Sequence, residues 1–383
     1  MLRVAVIGTG NISPMHIQGY LAYPERCEIT ALCDIVPDKC REKNARFGLN
    51  AAVFDSHQAL LSGAEIDLVS ICTPPYTHAE IAVNCLKAGR HVLVEKPMAA
   101  SVAECDGMNR AATASGSVVF SVVAQNRFRA SVWNLKRVLD SGMIGKIVHA
   151  QIDSHWWRGH SYYDLWWRGL WEKEGGGPTL NHAVHHIDML GWMMGLPDSV
   201  CAMMANTSHD NSEVEDLSVA VLRYANGALA QVTSSVVHHG EEQQVIFQGE
   251  KARVSAPWRV AASLSQPNGF PVRNTPLEEE LTAFFDAPPP FAHEGHTGQI
   301  GDVLTSIERG GSPLVGGEDG RRTVELIAGI YKAASGNRTV TLPLDKDDPF
   351  RTVAGILQNV PRFCQKSAAV QELRGKITTG RSL

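Results

Sequence analysis

The chain has 383 residues, 44% hydrophobic and 20% charged, with a formal net charge of −5. That length predicts two domains. The mild acidity gives no electrostatic basis for a nucleic-acid or anionic-membrane partner, and no apolar run reaches the roughly 18 residues that a membrane span needs. The N-terminal MLRVAVIG enters a buried strand at once, so no signal peptide is expected. Eight cysteines, with no CxxC pair, are scattered along the chain. They predict reduced thiols in a cytoplasmic protein rather than a disulfide frame or zinc site. Cys33 and Cys72, at predicted strand ends, read as small core residues rather than nucleophiles.

Over residues 1–125, β-branched runs (RVAVIG, EITALCD, IDLVSICTP, HVLVEKP, SVVFSVV) alternate with amphipathic stretches such as HAEIAVNCLKAG. This alternation predicts a parallel sheet flanked by helices, with ligands at the carboxyl ends of the strands. GTGNIS (8–13) follows the first strand. Gly8 allows the tight turn and Gly10 lets a pyrophosphate approach the backbone. Ser13 stands at the usual third glycine, where it can cap the helix that Pro14 begins. Asp34 ends the second strand, where a carboxylate accepts both ribose hydroxyls and repels a 2′-phosphate. With no arginine in DIVPD, NAD is favoured over NADP. TPPYTHAE (73–80) and EKPMA (95–99) follow two further strands and open onto the same crevice. Lys96, held by Pro97, can donate to a substrate oxygen or move a proton, although it can also be an ordinary solvated lysine.

After residue 126 the pattern changes to antiparallel strands. EDLSVAVLRY and GALAQVTSSVV alternate with period two around Asn226-Gly227, a hairpin signal, and EQQVIFQG and KARVSAP continue the run. An α+β domain with a large open sheet is expected over 126–345, with a separate tail over 346–383. PLEEELTAFFDAPPPF (276–291) reads as a surface connection, and RFCQKSAAVQELRGK as a helix used for packing or assembly.

Five of the eight tryptophans fall in SHWWRGHSYYDLWWRGLWEKEGGG (154–177). Aromatic faces beside arginines suit stacking on sugar C–H surfaces and binding hydroxyls or a carboxylate, and an aromatic core plug under a long loop is the plainer alternative. Next, EGGGPTLNHAVHHIDMLGW (174–192) leads into a helix beginning near Leu180. On a regular helix Asn181, His185, Asp188 and Trp192 share one face, and His182 and His186 the neighbouring one. A zinc pair at His182 and His186 would need a third ligand that the sequence does not name, and HExxH is absent, so no metal is expected. Asp188 reads as structural.

GTGNISPMH, the Cys33-Asp34 pair, TPPYTHAE, KAGRHVLVEKPMA, GGGPTLNHAVHHIDML and the stretch 296–334 together resemble the Gfo/Idh/MocA oxidoreductases, over nearly all of residues 1–345. The resemblance implies an N-terminal Rossmann dinucleotide-binding domain followed by an α+β domain whose mostly antiparallel open sheet mediates a homodimer or homotetramer. It places Gly8, Gly10, Asn11, Ile12, Asp34, Thr73, Pro74, His78, Glu95 and Lys96 at the nucleotide, and Tyr163, Arg168, Trp171 and Asn181 at the substrate. His185 falls on the family's catalytic histidine, which takes the alcohol proton as hydride leaves for NAD. Lys96 bonds the same oxygen, and Asn181 stands where aspartate is usual, counted here with the catalytic residues. An amide cannot raise the basicity of a neighbouring imidazole as a carboxylate does. The implied activity is oxidation of a secondary alcohol, or reduction of a ketone, on a sugar, inositol or sugar acid. Transient oxidation in the service of hydrolysis or elimination, and NAD sensing without catalysis, are the rival readings.

Overall fold

The computed structural model describes residues 1–371. The N-terminal half alternates as the pattern predicts: β1 (Leu2–Ile7), α1 (Ser13–Leu21), β2 (Cys27–Cys33), α2 (Pro37–Phe47), β3 (Ala52–Phe54), α3 (His57–Gly63), β4 (Leu68–Ile71), α4 (Pro75–Lys87), β5 (His91–Val94), α5 (Val102–Ala114) and β6 (Phe120–Val122). These six strands pair in parallel in the order β3-β2-β1-β4-β5-β6. β4 is buried throughout and β1 over its last four residues, which is why both read as unbroken apolar runs. The strand order reverses between β1 and β4, and doubly wound sheets bind nucleotides outside that switch point.

The chain continues through α6 (Ala130–Asp140), β7 (Ile147–His155), α7 (Trp171–Glu174), α8 (Pro178–Asn181), α9 (Val184–Met194), β8 (Ser199–Ala205), β9 (Leu217–Arg223), β10 (Leu229–Ser235), β11 (Gln243–Gly249), β12 (Ala252–Ala256), β13 (Arg259–Ser265), β14 (Pro271–Arg273) and α10 (Thr275–Phe285). It closes with α11 (Gly295–Arg309), α12 (Gly317–Gly336), β15 (Val340–Thr341) and α13 (Val353–Asn359). Among the described residues, nine strands form a second sheet in the order β14-β13-β12-β11-β7-β10-β9-β8-β15. Its pairings are antiparallel except that of β7 with β10. Asn226-Gly227 makes the expected hairpin: Gly227 has φ +86°, and the Tyr224 N–H donates to Ala228 O at 3.0 Å. One face of the sheet is buried through Val200, Ala202, Ala220, Leu222, Ala230 and Val232, and the alternate residues Cys201, Met203, Val219 and Val221 are exposed.

Two compact units emerge among the described residues, one of residues 1–128 with 291–324, the other of 129–290 with 325–371. The expected break after residue 125 falls at 128, but the second unit does not run unbroken to 345. The physical reason is α11. Its Ile300, Val303 and Leu304 enter the same core as Val4, Val6 and Ile17, and the Tyr23 hydroxyl on the α1 side donates to Thr297 O at 3.0 Å. Gln299 accepts from the Ala124 N–H at 2.9 Å and donates to Val122 O at 2.8 Å, tying α11 to the end of β6.

Two further expectations are corrected. Residues 276–291 are not a plain surface connection, because most of α10 lies there, capped by Asn274 and packed through the fully buried Leu281. The described part of the tail beyond residue 361 is not helical. It runs beside the aromatic segment, where the Val370 N–H donates to Asp164 O at 2.7 Å and the Trp166 N–H to Val370 O at 2.9 Å. The rest of RFCQKSAAVQELRGK lies outside the described residues. Among the described residues no helix is long and apolar enough to cross a membrane.

Candidate active site

In the first unit the expected nucleotide residues lie at the carboxyl ends of β1, β2, β4 and β5. Gly8 has φ +89°, and a Cβ there would come within 2.7 Å of Cys72 C, so only glycine lets β1 turn this close to β4. A Cβ on Gly10 would meet nothing within 4 Å. The space beside it is open to a pyrophosphate, next to exposed Asn11 and half-exposed Ile12. Ser13 is not the N-cap. Ile12 holds that position without a side-chain cap, while the Ser13 hydroxyl donates back to Gly10 O at 2.8 Å. The first-turn N–H groups of α1 are therefore uncapped by a side chain, as an anion site requires. Asp34 is pre-oriented: Oδ2 accepts from Thr9 N at 2.8 Å and Thr9 Oγ1 at 3.0 Å, and Oδ1 from Val36 N at 3.0 Å. These features fit NAD: the open space at Gly10 would admit its pyrophosphate, and the Asp34 carboxylate would accept its ribose hydroxyls.

His78 and Glu95, expected at the nucleotide, are both buried and hydrogen-bonded within the protein. The fully buried His78 ring lies between Pro97 O, 2.9 Å from Nδ1, and Thr73 O, 2.7 Å from Nε2. It ties the TPPYTH and EKP loops together, and burial pushes its pKa down. Glu95 is 4% exposed and enclosed by His16, His296 and the Lys96 amide. Thr73 and Pro74 are partly exposed, and Pro74 holds the N-cap position of α4 without a side-chain cap. Lys96 is half-exposed between two buried neighbours, Glu95 and Pro97.

In the second unit the glycines are demanded by packing. A Cβ on Gly177 would fall 1.9 Å from Glu215 O, and one on Gly176 would fall 2.0 Å from the Tyr331 hydroxyl. Glu215, fully buried, accepts from Gly177 N at 3.0 Å, Thr179 N at 3.2 Å and Tyr331 Oη at 3.0 Å, and so anchors the first turn of α8. Burial pushes its pKa up to about 7 against the pull of those donors. Glu215 and Tyr331 were not among the expected site residues; the acidic pair Glu215-Asp216 opening the predicted strand EDLSVAVLRY was the available signal.

The helix is not continuous from Leu180. Ala183 N donates to Pro178 O at 2.7 Å, an i to i−5 bond that widens one turn between α8 and α9. Asn181 and His185 remain half-exposed, whereas His186 is fully buried and neither ring nitrogen has a hydrogen-bond partner. Burial lowers its pKa to about 4. His182 instead meets the aromatic segment, 3.4 Å from the Tyr162 hydroxyl and beside Trp156, so it does not pair with His186. Asn181 Nδ2 donates to Gly176 O at 2.7 Å and to Gly177 O at 3.3 Å. That supplies a reason for the amide, because an aspartate here would set a carboxylate against two carbonyl oxygens.

The aromatic segment splits between the two readings of it. Tyr163 and Trp171, expected at the substrate, are each 1% exposed, and Trp171 Nε1 donates to Pro361 O at 2.9 Å, so both are packed into the core plug. Arg168 is half-buried, paired with Glu174 at 2.8 Å and stacked 4.2 Å over the Tyr162 ring and 4.4 Å over Trp167. Arg158 lies 5.3 Å over the Trp156 ring and 5.6 Å over that of Tyr162, and pairs with Glu241. Tyr162, Trp156 and Trp167 are thus the half-exposed aromatics available to a ligand, one residue away from the tyrosine expected.

Two family models match this chain: "Oxidoreductase family, NAD-binding Rossmann fold" over residues 2–123 and "GFO/IDH/MocA C-terminal domain" over residues 132–255. Over 348 residues the chain is 26% identical to the myo-inositol 2-dehydrogenase of Thermotoga maritima, covering 89% of this chain and 98% of that one. It is 25% identical to the 2,7-anhydro-N-acetylneuraminate hydratase of Escherichia coli, covering 77% and 81%. The WlbA dehydrogenase of Bordetella pertussis, solved in complex with NADH and UDP-GlcNAcA, superposes with a TM-score of 0.77 at 28% identity, over 90% of this chain and 98% of that one.

Two expectations follow from the helix. Between about pH 6.5 and 4 the unfolded chain binds a proton at His186 that the folded chain does not, so this contribution to stability is lost as pH falls through that window. His186→Leu should lose less stability on acidification than the parent, measured by urea unfolding at about pH 7, 5.5 and 4.5. Asn181→Asp should destabilise by about 1–3 kcal/mol at neutral pH through loss of its donor. The same unfolding assay should show that penalty shrinking as the new carboxyl protonates.

Proposed function

Since the chain belongs to the Gfo/Idh/MocA oxidoreductases and carries their NAD-binding Rossmann unit, we propose that it moves hydride at a CH–OH group of a cyclic polyol, sugar or sugar acid. The observation that carries the reading is one of selection. In each motif the structure buries a rival titratable group and leaves its neighbour half-exposed: Lys96 beside buried Glu95, and His185 beside buried His186, while the other half-exposed histidine, His182, is engaged with Tyr162 and Trp156. The substrate class is supported by likeness to a myo-inositol dehydrogenase and to a dehydrogenase solved with UDP-GlcNAcA, and by the stacked Trp156–Arg158–Tyr162–Arg168–Trp167 array.

In this reading a bound NAD supplies the hydride acceptor, and the protein's residues do the rest. His185 takes the proton of the substrate hydroxyl, and Lys96 donates to that oxygen as it gains negative charge. Asn181 positions rather than activates, its donor end being held by the glycine loop. Gly8, Gly10, Asn11 and Ile12 accommodate the pyrophosphate, Asp34 takes the ribose hydroxyls, and Thr73, Pro74 and Lys96 complete the crevice. A second reading, transient oxidation without net redox, is favoured by the likeness to a hydratase.

We place the protein in the cytoplasm, supported by eight unpaired cysteines, six of them buried. We also propose a homodimer or homotetramer formed through the open sheet face. There Met203 is 73% and Val221 49% exposed, in a mixed apolar and polar array that a second copy would cover.

A polyol, sugar and sugar-acid panel read by nicotinamide absorbance should show activity with NAD above NADP. His185→Ala and Lys96→Ala should each lower turnover by about a hundredfold or more with NAD binding retained, and normal turnover in both would refute the site. Product formed with no accumulated NADH would select the transient-redox reading. Light scattering should give a multiple of the monomer mass, and Val221→Lys should shift it toward monomer.

A further inference from the structure

Glu95 joins three elements of the first unit. Its Oε1 lies 2.8 Å from His16 Nε2 on α1 and 3.3 Å from His296 Nε2 in the first turn of α11, and its Oε2 accepts the Lys96 backbone N–H at 3.1 Å. Behind His16 the chain of contacts continues: Nδ1 is 3.0 Å from Ser70 Oγ on β4, which is 2.7 Å from the Tyr20 hydroxyl. His16 and Ser70 have no exposed surface and Tyr20 has 1%.

The proton positions follow from charge. Burial alone would push Glu95 up, but the bonds from His16 and His296 outweigh it and hold the carboxyl well below its usual range, so it is an anion. Burial pushes His16 down and keeps it neutral, with a single N–H. That proton must sit on Nε2, facing the carboxylate, which makes Nδ1 an acceptor. Ser70 then donates to Nδ1, and its oxygen accepts from Tyr20. His16, Glu95 and His296 are also close enough to share a cation, but hydrogen bonding already accounts for each of the three atoms concerned.

We propose that His16 and His296 are positioning residues for Lys96. They clamp one oxygen of Glu95, the other oxygen holds the Lys96 amide, and the pair thereby sets where the Lys96 side chain leaves the backbone. The proposal rests on the reading of Lys96 as the group that bonds the substrate oxygen. It also gives the return of 291–324 to the first unit a use beyond packing, because that stretch delivers the second clamp.

His296 is the test position, being the least buried member at 10% side-chain exposure. His296→Ala should lower kcat about tenfold or more, as expected when a reacting group is misplaced by a fraction of an ångström. KM, thermal midpoint and the NAD dissociation constant from fluorescence should stay near the parent values. His296→Gln, which keeps an N–H donor, should recover kcat to within about threefold. NMR of 15N-histidine-labelled protein should show His16 as the neutral Nε2–H tautomer at neutral pH. An unchanged kcat in His296→Ala beside an inactive Lys96→Ala would overturn the positioning role and leave Lys96 standing. A fully active Lys96→Ala would remove both. Equal losses in the Ala and Gln variants, NAD affinity falling in step with kcat, or an Nδ1–H tautomer at His16 would also overturn it.

Discussion

A carboxylate without water must find donors inside the protein or give up its charge, and Glu215 shows how far that demand reaches. The donors it finds are the Gly177 and Thr179 amides and the Tyr331 hydroxyl, drawn from the glycine run, the first turn of α8 and the long helix α12. With the acid fixed just ahead of β9, the start of α8 has one possible location. The close approach leaves no room for a β-carbon at Gly176 or Gly177. What α8 presents next, Asn181 above all, takes its position from this anchor. The raised pKa, about 7, shows that the donors offset desolvation only in part.

The first unit solves a similar problem with a different outcome. Glu95 is as deeply buried, yet two imidazoles and an amide keep it charged. Each unit thus places a buried carboxylate directly behind the loop that carries its half-exposed working candidate. The charge is kept where the neighbours are histidines able to share it and is weakened where they are neutral amides and a phenol. In both cases polar satisfaction specifies a local backbone path that apolar packing alone would leave loose.

Period-two alternation and the strand–helix rhythm made both sheets legible, and Gly8, Gly10 and Asp34 occupy the places their spacing implied. What the sequence concealed was long-range. An amphipathic pattern in 295–309 says that a helix has an apolar face, not that this face will cover α1 some 280 positions earlier. Counting at 3.6 residues per turn put His182 and His186 on a common face, and one widened turn separates them. Tyr162 and Tyr163 are equivalent as letters, and only the fold decides that the second is plugged against His209 while the first stacks under the arginines. The asparagine that looked like a defect in a catalytic pair has its own requirement, two carbonyl acceptors in the preceding loop.

The widened turn between Pro178 and Ala183 works as a phase shifter. Each residue advances a helix by about 100°, so one extra residue in a single turn rotates everything downstream against everything upstream. Asn181 belongs to the frame set by the glycine run, and His185 to the frame set by the buried stripe of Ile187 and Leu190. Two constraints that a regular helix would force into one register are uncoupled, and each side chain answers to its own surroundings. A lineage of such proteins could alter the core under α9 without disturbing the asparagine, or reshape the loop without turning the histidine, provided the inserted residue stays.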